Sequence, residues 1–319
     1  MTTTKILLLA FAAVCWLQSS VHAEERMRVG ISAVSLGFLP TVMAEKKGFY
    51  TKYGLVAEHV LIPCAIATNA LLSEDLDYAV CTGPGIAGAI KGLPIKLIMV
   101  TQDKLGYLLL VKSNIQNLTA LRGKTIGIST FGSQLYLTSV TLFRKAGMEA
   151  GKDVNLLPAG DNNARIAAME SGKIDAAFVS SPADIFGAKR GYKVLLWSRD
   201  HVPLTQNAIV VTDKKLKQSP DQVKRTIKGS IEALKFIRDH QEESVDIAAR
   251  WLKLDVPTTR AAFENYLPCY SPDGSLSDQA LHDLIQYELD RSTLKKDIPL
   301  SQVASRSLLQ QAQKELHIR

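Results

Sequence analysis

An alternation of short apolar strands with helices, run through once before residue 90 and again between residues 107 and 200, limits this chain more than any other feature. Met27 to Ser32 alternates, Leu39 to Lys47 has helical spacing and stops at Gly48, and Val56 to Ile62 is a second strand ending at Pro63. A helix around Ile66–Leu72 leads into Asp77 to Cys81, a third strand bounded by Gly83-Pro84-Gly85. Strands separated by helices of this length predict a parallel sheet with helices on both faces. The pattern then restarts. Tyr107–Val111, Lys124–Ile128, Val154–Leu157, Ala176–Val179 and Tyr192–Trp197 read as strands, with helices at Gln134–Lys145 and Asn163–Met169. Ala208–Val211 is a further strand, placed as a return crossing to the first unit.

From Ser219 onward the pattern is helical. Ser219-Pro220-Asp221-Gln222 fits an N-cap, a proline at the first helical position and a glutamine at the third. Further helices are expected near 242–253, 258–267, 277–291 and 301–316. The 319 residues suffice for two lobes, and an apolar fraction of 46% can build their cores without help from disulfides or metals. A mean hydropathy of +0.05 with a single outstanding apolar run excludes a multi-span membrane protein. The excess of 38 Lys+Arg over 31 Asp+Glu is dispersed and lacks interleaved aromatics, which argues against nucleic acid as a partner.

The apolar run is N-terminal. Lys5, the stretch Ile6–Leu17, and Val21-His22-Ala23 before Glu24-Glu25 have the layout of a cleavable secretory signal peptide with cleavage near Ala23. Val14 stands where a lipoprotein signal wants a small residue before its cysteine, so Cys15 is not read as a lipid anchor. The mature protein is expected to be exported and periplasmic. Cys64, Cys81 and Cys269 then remain, in spacings that match no zinc pattern, and the histidines are scattered. Cys64 and Cys81 are read as small buried residues, with a bond between them as the alternative in an oxidising compartment.

In open parallel sheets, ligands bind beyond the carboxyl ends of the strands. The segments there are Ser32–Phe38, Cys64-Ala65, Thr82–Ile86, Ser129–Ser133 and Ser180–Asp184, rich in hydroxyls and glycine and nearly free of charge. Backbone N–H groups at a helix start, with small hydroxyls beside them, suit an oxyanion-bearing ligand. Phe131-Gly132-Ser133 is the sharpest case, and an ordinary N-cap by Ser133 is its structural alternative. No nucleophile elbow, zinc-binding helix motif, phosphate loop or dinucleotide fingerprint is present.

Several local patterns carry a family resemblance. Ala44-Glu45-Lys46-Lys47-Gly48-Phe49-Tyr50 followed by Tyr53-Gly54-Leu55, Gly92-Leu93-Pro94-Ile95, and Leu118, Leu121, Gly123-Lys124, Ile126-Gly127 occur in order. Gly132-Ser133 before a helix ending Arg144-Lys145-Ala146-Gly147, and Ala167, Gly172, Ile174-Asp175-Ala176-Ala177, complete the set. Together they resemble the periplasmic substrate-binding proteins of nitrate/sulfonate/taurine-type ABC transporters, the SsuA/THI5-like or NMT1-like family. The resemblance implies an α/β, two-lobe, type II periplasmic-binding-protein fold, each lobe a mostly parallel sheet flanked by helices. Its segments would be the signal peptide at 1–23, a first lobe from 24–108 and 207–319, and a second lobe at 109–206. Ligand contacts carried over are Ser35, Phe38, Cys64, Thr82, Gly83, Gly132, Ser133 and Ser181, with no metal and no cofactor. The implied partners are a small-molecule ligand and an ABC permease with its ATPase, served by a monomer. Gln302 stands where the family pattern has an aspartate. An enzyme on the same fold, or a periplasmic ligand sensor, are the alternatives.

Overall fold

The computed structural model describes residues 24–318 apart from 291, 293, 295 and 296, so the signal-peptide segment lies outside the described residues. The alternating runs form strands β1 (Glu25–Ile31), β2 (Leu55–Leu61), β3 (Tyr78–Val80), β4 (Ile95–Gln102), β5 (Tyr107–Lys112), β6 (Thr125–Ile128), β7 (Asn155–Pro158), β8 (Ala176–Ser180), β9 (Tyr192–Trp197) and β10 (Asn207–Thr212). They make two five-stranded sheets, ordered β2-β1-β3-β10-β4 and β7-β6-β8-β5-β9. The two orders are the same arrangement built twice.

Neither sheet is wholly parallel. β1 is parallel to β2 and β3, whereas β10 is antiparallel to both β3 and β4. Likewise β6 is parallel to β7 and β8, and β5 is antiparallel to β8 and β9. The reversed strand in each sheet is the one that carries the chain in from the other sheet. It enters at the strand ends nearest the other sheet and so runs against the neighbours on both its sides. All-parallel sheets arise only where every strand is preceded by its own crossover helix.

Burial follows this layering. One buried cluster joins Leu97 and Val210 of the first sheet, Leu105 in the link, and Leu109 and Phe178 of the second. The opposite face of the first sheet, with Met27, Val29 and Val211, packs against Val223, Ile227, Ile231 and Leu234 of the helix Pro220–Asp239 and against Phe263 and Tyr266 of the helix Val256–Tyr266. A third cluster, with Leu108, Leu110 and Val179, is covered by Ile166 and Met169 of the helix Asn162–Glu170.

The two passages between the sheets, residues 103–106 and 198–206, are pinned by buried polar groups. The Gly106 N–H donates to Gln206 Oε1, and Gln206 Nε2 donates to the Tyr266 hydroxyl at 3.2 Å. Asn207 Nδ2 donates to Gln102 Oε1 at 2.6 Å and to the Gly37 carbonyl at 2.9 Å. A Cβ on Gly106 would run into the Tyr266 ring, so only glycine lets that ring lie against the link.

Several local expectations are corrected. Gly83-Pro84-Gly85 is no loop but the first turn of a helix, Thr82–Ile90. Proline is tolerated there because the first-turn N–H groups have no intrahelical partner. The run after β8 likewise turns directly into the helix Ala183–Lys189. Ser219 flanks its helix as expected but makes no side-chain cap; Gln222 instead donates to Glu25 Oε1 and accepts from the Tyr78 hydroxyl. The expected helix 301–316 is two, Leu300–Val303 and Ser307–Glu315, split where Ala304 bridges Leu97 of β4. Gln302 donates to the Ala89 and Ile90 carbonyls, capping the end of the helix Thr82–Ile90. Cys64 and Cys81 are joined in a disulfide with Cα atoms 5.8 Å apart, rather than buried as separate thiols.

Candidate ligand site between the sheets

Five segments leave the carboxyl ends of the strands, and the structure fixes each by a different device. After β1, Ser35 precedes a short 3-10 turn, Leu36–Phe38, and is partly exposed with no side-chain capping bond. The turn is held by Tyr270, whose hydroxyl donates to the Leu36 carbonyl at 2.7 Å, and by Asn207 at Gly37. Phe38 points the other way, 6% exposed, into the core beneath the C-terminal helices.

After β2 and β3, the disulfide ties together two helix starts. Cys64 opens the helix Cys64–Leu72, and Cys81 is the N-cap of the helix Thr82–Ile90. The Cys64 sulfur is thereby committed, and what the segment can offer a ligand is backbone. Thr82 is 2% exposed, and its Oγ1 has no hydrogen-bond partner in the protein. An unmatched hydroxyl in such a position costs on the order of 1–3 kcal/mol unless something else meets it. Gly83 is buried, and a Cβ there would sit 3.3 Å from Gln134 Oε1.

That last distance joins the two sheets, because Gln134 opens the helix Gln134–Lys145 behind β6. Its Nε2 donates to the Thr205 carbonyl in the return passage at 3.2 Å. Ser133 is its N-cap: the hydroxyl accepts from the Tyr136 N–H at 3.1 Å, donates to the Thr130 carbonyl and meets Ser129 Oγ. The ordinary capping role is therefore filled by Ser133. Gly132 is exposed with φ +76°, leaving the approach to this helix start open.

After β8, Ser181 is fully buried and donates to Asp184 Oδ1 at 2.5 Å, while Asn265 Nδ2 donates to Asp184 Oδ2 at 3.0 Å. Burial pushes the Asp184 carboxyl above the usual range, and the two hydrogen bonds oppose that shift. Across the sheets the structure brings Gly83 against Gln134, with Thr82 and Ser133 as their neighbours in sequence. Phe38 belongs to the core, and the Ser181 hydroxyl faces Asp184.

Two features escaped the sequence reading. Val34, Leu61 and Ile66 at the ends of β1 and β2, and Phe131 and Leu157 at the ends of β6 and β7, are exposed large apolar side chains on the same strand ends. Arg165, in the first turn of the helix behind β7, is buried to 4% exposure, with its side chain beside Gly127 of β6. Its signal was spacing: Arg165 precedes Met169 by four residues and so shares that helix's buried stripe. A groove of about 400 Å³ along Tyr136, Val140 and Arg144 follows the outer length of its helix and holds none of the strand-end groups. Among the described residues, no cluster of His, Cys, Asp and Glu is arranged to hold a metal ion, and no helix is long and apolar enough to cross a membrane.

Comparison with known proteins bears on the fold and the family. A provisionally named binding protein of Brucella abortus (strain 2308) is 29% identical over 236 residues, covering 72% of each chain. A Bacillus subtilis (strain 168) protein, provisionally named as an aliphatic sulfonates-binding protein, is 24% identical over 301 residues, 91% of this chain and 89% of that one. Among solved structures, the periplasmic aliphatic sulphonate binding protein SsuA from Escherichia coli superposes with a TM-score of 0.74 at 17% identity, covering 88% of this chain and 92% of its own. The desulfurization enzyme DszB superposes with a TM-score of 0.65 at 15% identity, covering 92% and 99%. The SsuA superposition establishes the periplasmic-binding-protein type of fold, and the DszB superposition shows that an enzyme shares it. Residues 36–244 match the NMT1/THI5-like family model, and the chain belongs to that family.

Proposed function

We propose that this protein is the solute-binding component of an ABC importer, capturing a small organic, oxyanion-bearing ligand between two lobes and handing it on unchanged to a permease and its ATPase. The observation that carries this reading is the meeting of two helix starts from different sheets, Thr82-Gly83 against Ser133-Gln134, over a buried hydroxyl that no protein group satisfies. Helix starts concentrate unpaired N–H groups and partial positive charge, which is what an oxyanion needs. The names of the Brucella and Bacillus relatives point the same way.

In this reading residues 24–108 with 207–319 form one lobe, residues 109–206 form the other, and the pinned passages at 103–106 and 198–206 are the hinge. Ser35, Thr82, Gly83, Gly132 and the backbone at Cys64 face the ligand; Ser133 and Ser181 hold the loops that do. The site acts in the periplasm, after export directed by residues 1–23, and as a monomer. The state of the thiols supports capture over chemistry. Cys64 and Cys81 are bonded to each other, and Cys269 is fully buried, its thiol pushed up by burial, whereas a nucleophilic thiol needs the opposite shift.

The test is a thermal-shift screen of the mature protein against sulfonates, carboxylates and pyrimidines. One compound class should raise the melting temperature, with a gain of about 2.7 kcal/mol at a hundredfold excess over Kd. Conversion of every hit into another compound would point to the enzyme alternative instead.

A further inference from the structure

Arg165 sets a problem that its structural contacts do not resolve. Its Nη1 donates to the Gly160 carbonyl, its Nη2 donates to Asn162 Oδ1 at 2.6 Å, and its Nε is buried without a hydrogen-bond partner. Among the described residues no carboxylate lies within ion-pair distance of it; the neighbouring Asp161 spends Oδ1 on the Ala164 N–H at the head of the helix. Two bonds to neutral acceptors are work that a neutral amide could perform. A guanidinium carries five N–H donors and a full charge, and burying that charge unpaired costs several kcal/mol. Burial pulls the group down to about 10, and the charge of Asp161, too far away to form an ion pair, only partly opposes that fall, so the guanidinium is still protonated at neutral pH.

The position of the charge is informative. Helical side chains lean toward the helix N-terminus, and here that end faces the carboxyl ends of the strands. Gly160 follows β7, and Asn162 holds the end of β8 by donating to the Ser180 carbonyl at 3.2 Å and to its hydroxyl at 3.1 Å. The guanidinium thus lies at the rim of the second sheet, where Tyr107, opposite Ser180 at the start of β5, feels its charge. The strand-end segments Ser32–Phe38, Cys64-Ala65, Thr82–Ile86, Ser129–Ser133 and Ser180–Asp184 contain no lysine or arginine. The opening is otherwise lined by hydroxyls, glycine and apolar side chains.

We propose that Arg165 is the specificity-determining cation of the site: the charged oxygens of a small organic anion are its counterion, and the exposed apolar side chains at the strand ends take the rest of that molecule. This rests on the solute-binding reading and sharpens it from oxyanion-bearing to obligately anionic, because a neutral ligand leaves the buried charge unmet.

The experiment uses matched probes on the mature protein: pentanesulfonate against pentanesulfonamide and benzoate against benzamide, titrated calorimetrically into wild type, Arg165→Gln and Arg165→Lys. Wild type is expected to take the anion of at least one pair and reject its neutral partner. Arg165→Gln should weaken that anion about 30-fold or more, and Arg165→Lys, which keeps the charge, should weaken it by less than about tenfold. A purely structural arginine would not discriminate between members of a pair. If Arg165→Gln does not fold, the wild-type pairs and Arg165→Lys still decide. Undiminished anion binding by Arg165→Gln, or wild type taking both members of a pair equally, overturns the proposal. Binding of neutral probes alone overturns it and leaves the solute-binding reading standing, whereas binding of neither arm counts against both.

Discussion

Gly106 is the residue at which the least change should have the largest structural effect. A methyl group there meets the Tyr266 ring, which is fully buried and hydrogen-bonded to Gln206, so the ring cannot step aside without breaking the passage between the sheets. Gly106→Ala should cost about 1–3 kcal/mol by overpacking, read as a lower midpoint in urea. Asp184 makes a pH-dependent case. Its carboxyl is raised in the folded state, so the folded protein gains from protonation and loses that gain as pH climbs from the unfolded carboxylate's value, about 4, through the folded one. The stability of Asp184→Asn relative to wild type should therefore improve between pH 4 and pH 7. A constant difference would show that the carboxyl titrates normally. Residue-scale chemistry was the least legible part of the sequence. Ser181 was visible as a hydroxyl behind a strand, but its partner Asp184 is bound on the far side by Asn265, eighty-one residues away. Arg165 was one more charge in a dispersed count until burial singled it out.

At the scale of elements, the disulfide does what neither of its helices can do alone. It clamps the starts of Cys64–Leu72 and Thr82–Ile90, separated by 17 residues in sequence, side by side at the strand ends. Closing a loop of that length is worth about 3 kcal/mol in the chain-entropy account. The double variant Cys64→Ser with Cys81→Ser should lose stability on that order, and dithiothreitol should lower the wild-type melting temperature but leave the variant unmoved. Most elements were legible from their spacing; the strand Tyr192–Trp197 and the helix Gln134–Lys145 agree with the sequence expectation to the residue. Thr82–Ile90 was hidden because its glycines read as breakers. Gly85 is there for close approach: a Cβ on it would lie 2.8 Å from Val210 of β10, so the helix meets that strand there only without a side chain at that position.

The whole molecule repeats one five-stranded arrangement, and the repetition was visible in the sequence because hydrophobic period and turn chemistry are local. The direction of β5 and β10 was not. A strand's apolar pattern is the same read from either end, and only the tertiary route between the sheets reverses these two. The apolar strand ends are a property of the assembled pair of sheets, contributed by three residues of the first and two of the second. Phe131 stands 62% exposed among them, against the Tyr136 ring edge-on. Phe131→Ala should leave the melting temperature of the free protein within about a degree, since little burial is lost, and weaken ligand binding about tenfold. Native mass spectrometry after mixing the mature protein with a library of small organic anions tests capture without chemistry most directly. The account predicts a single adduct at one ligand per chain whose mass is that of the intact library compound; an adduct of altered mass, or release of a converted product, would contradict it.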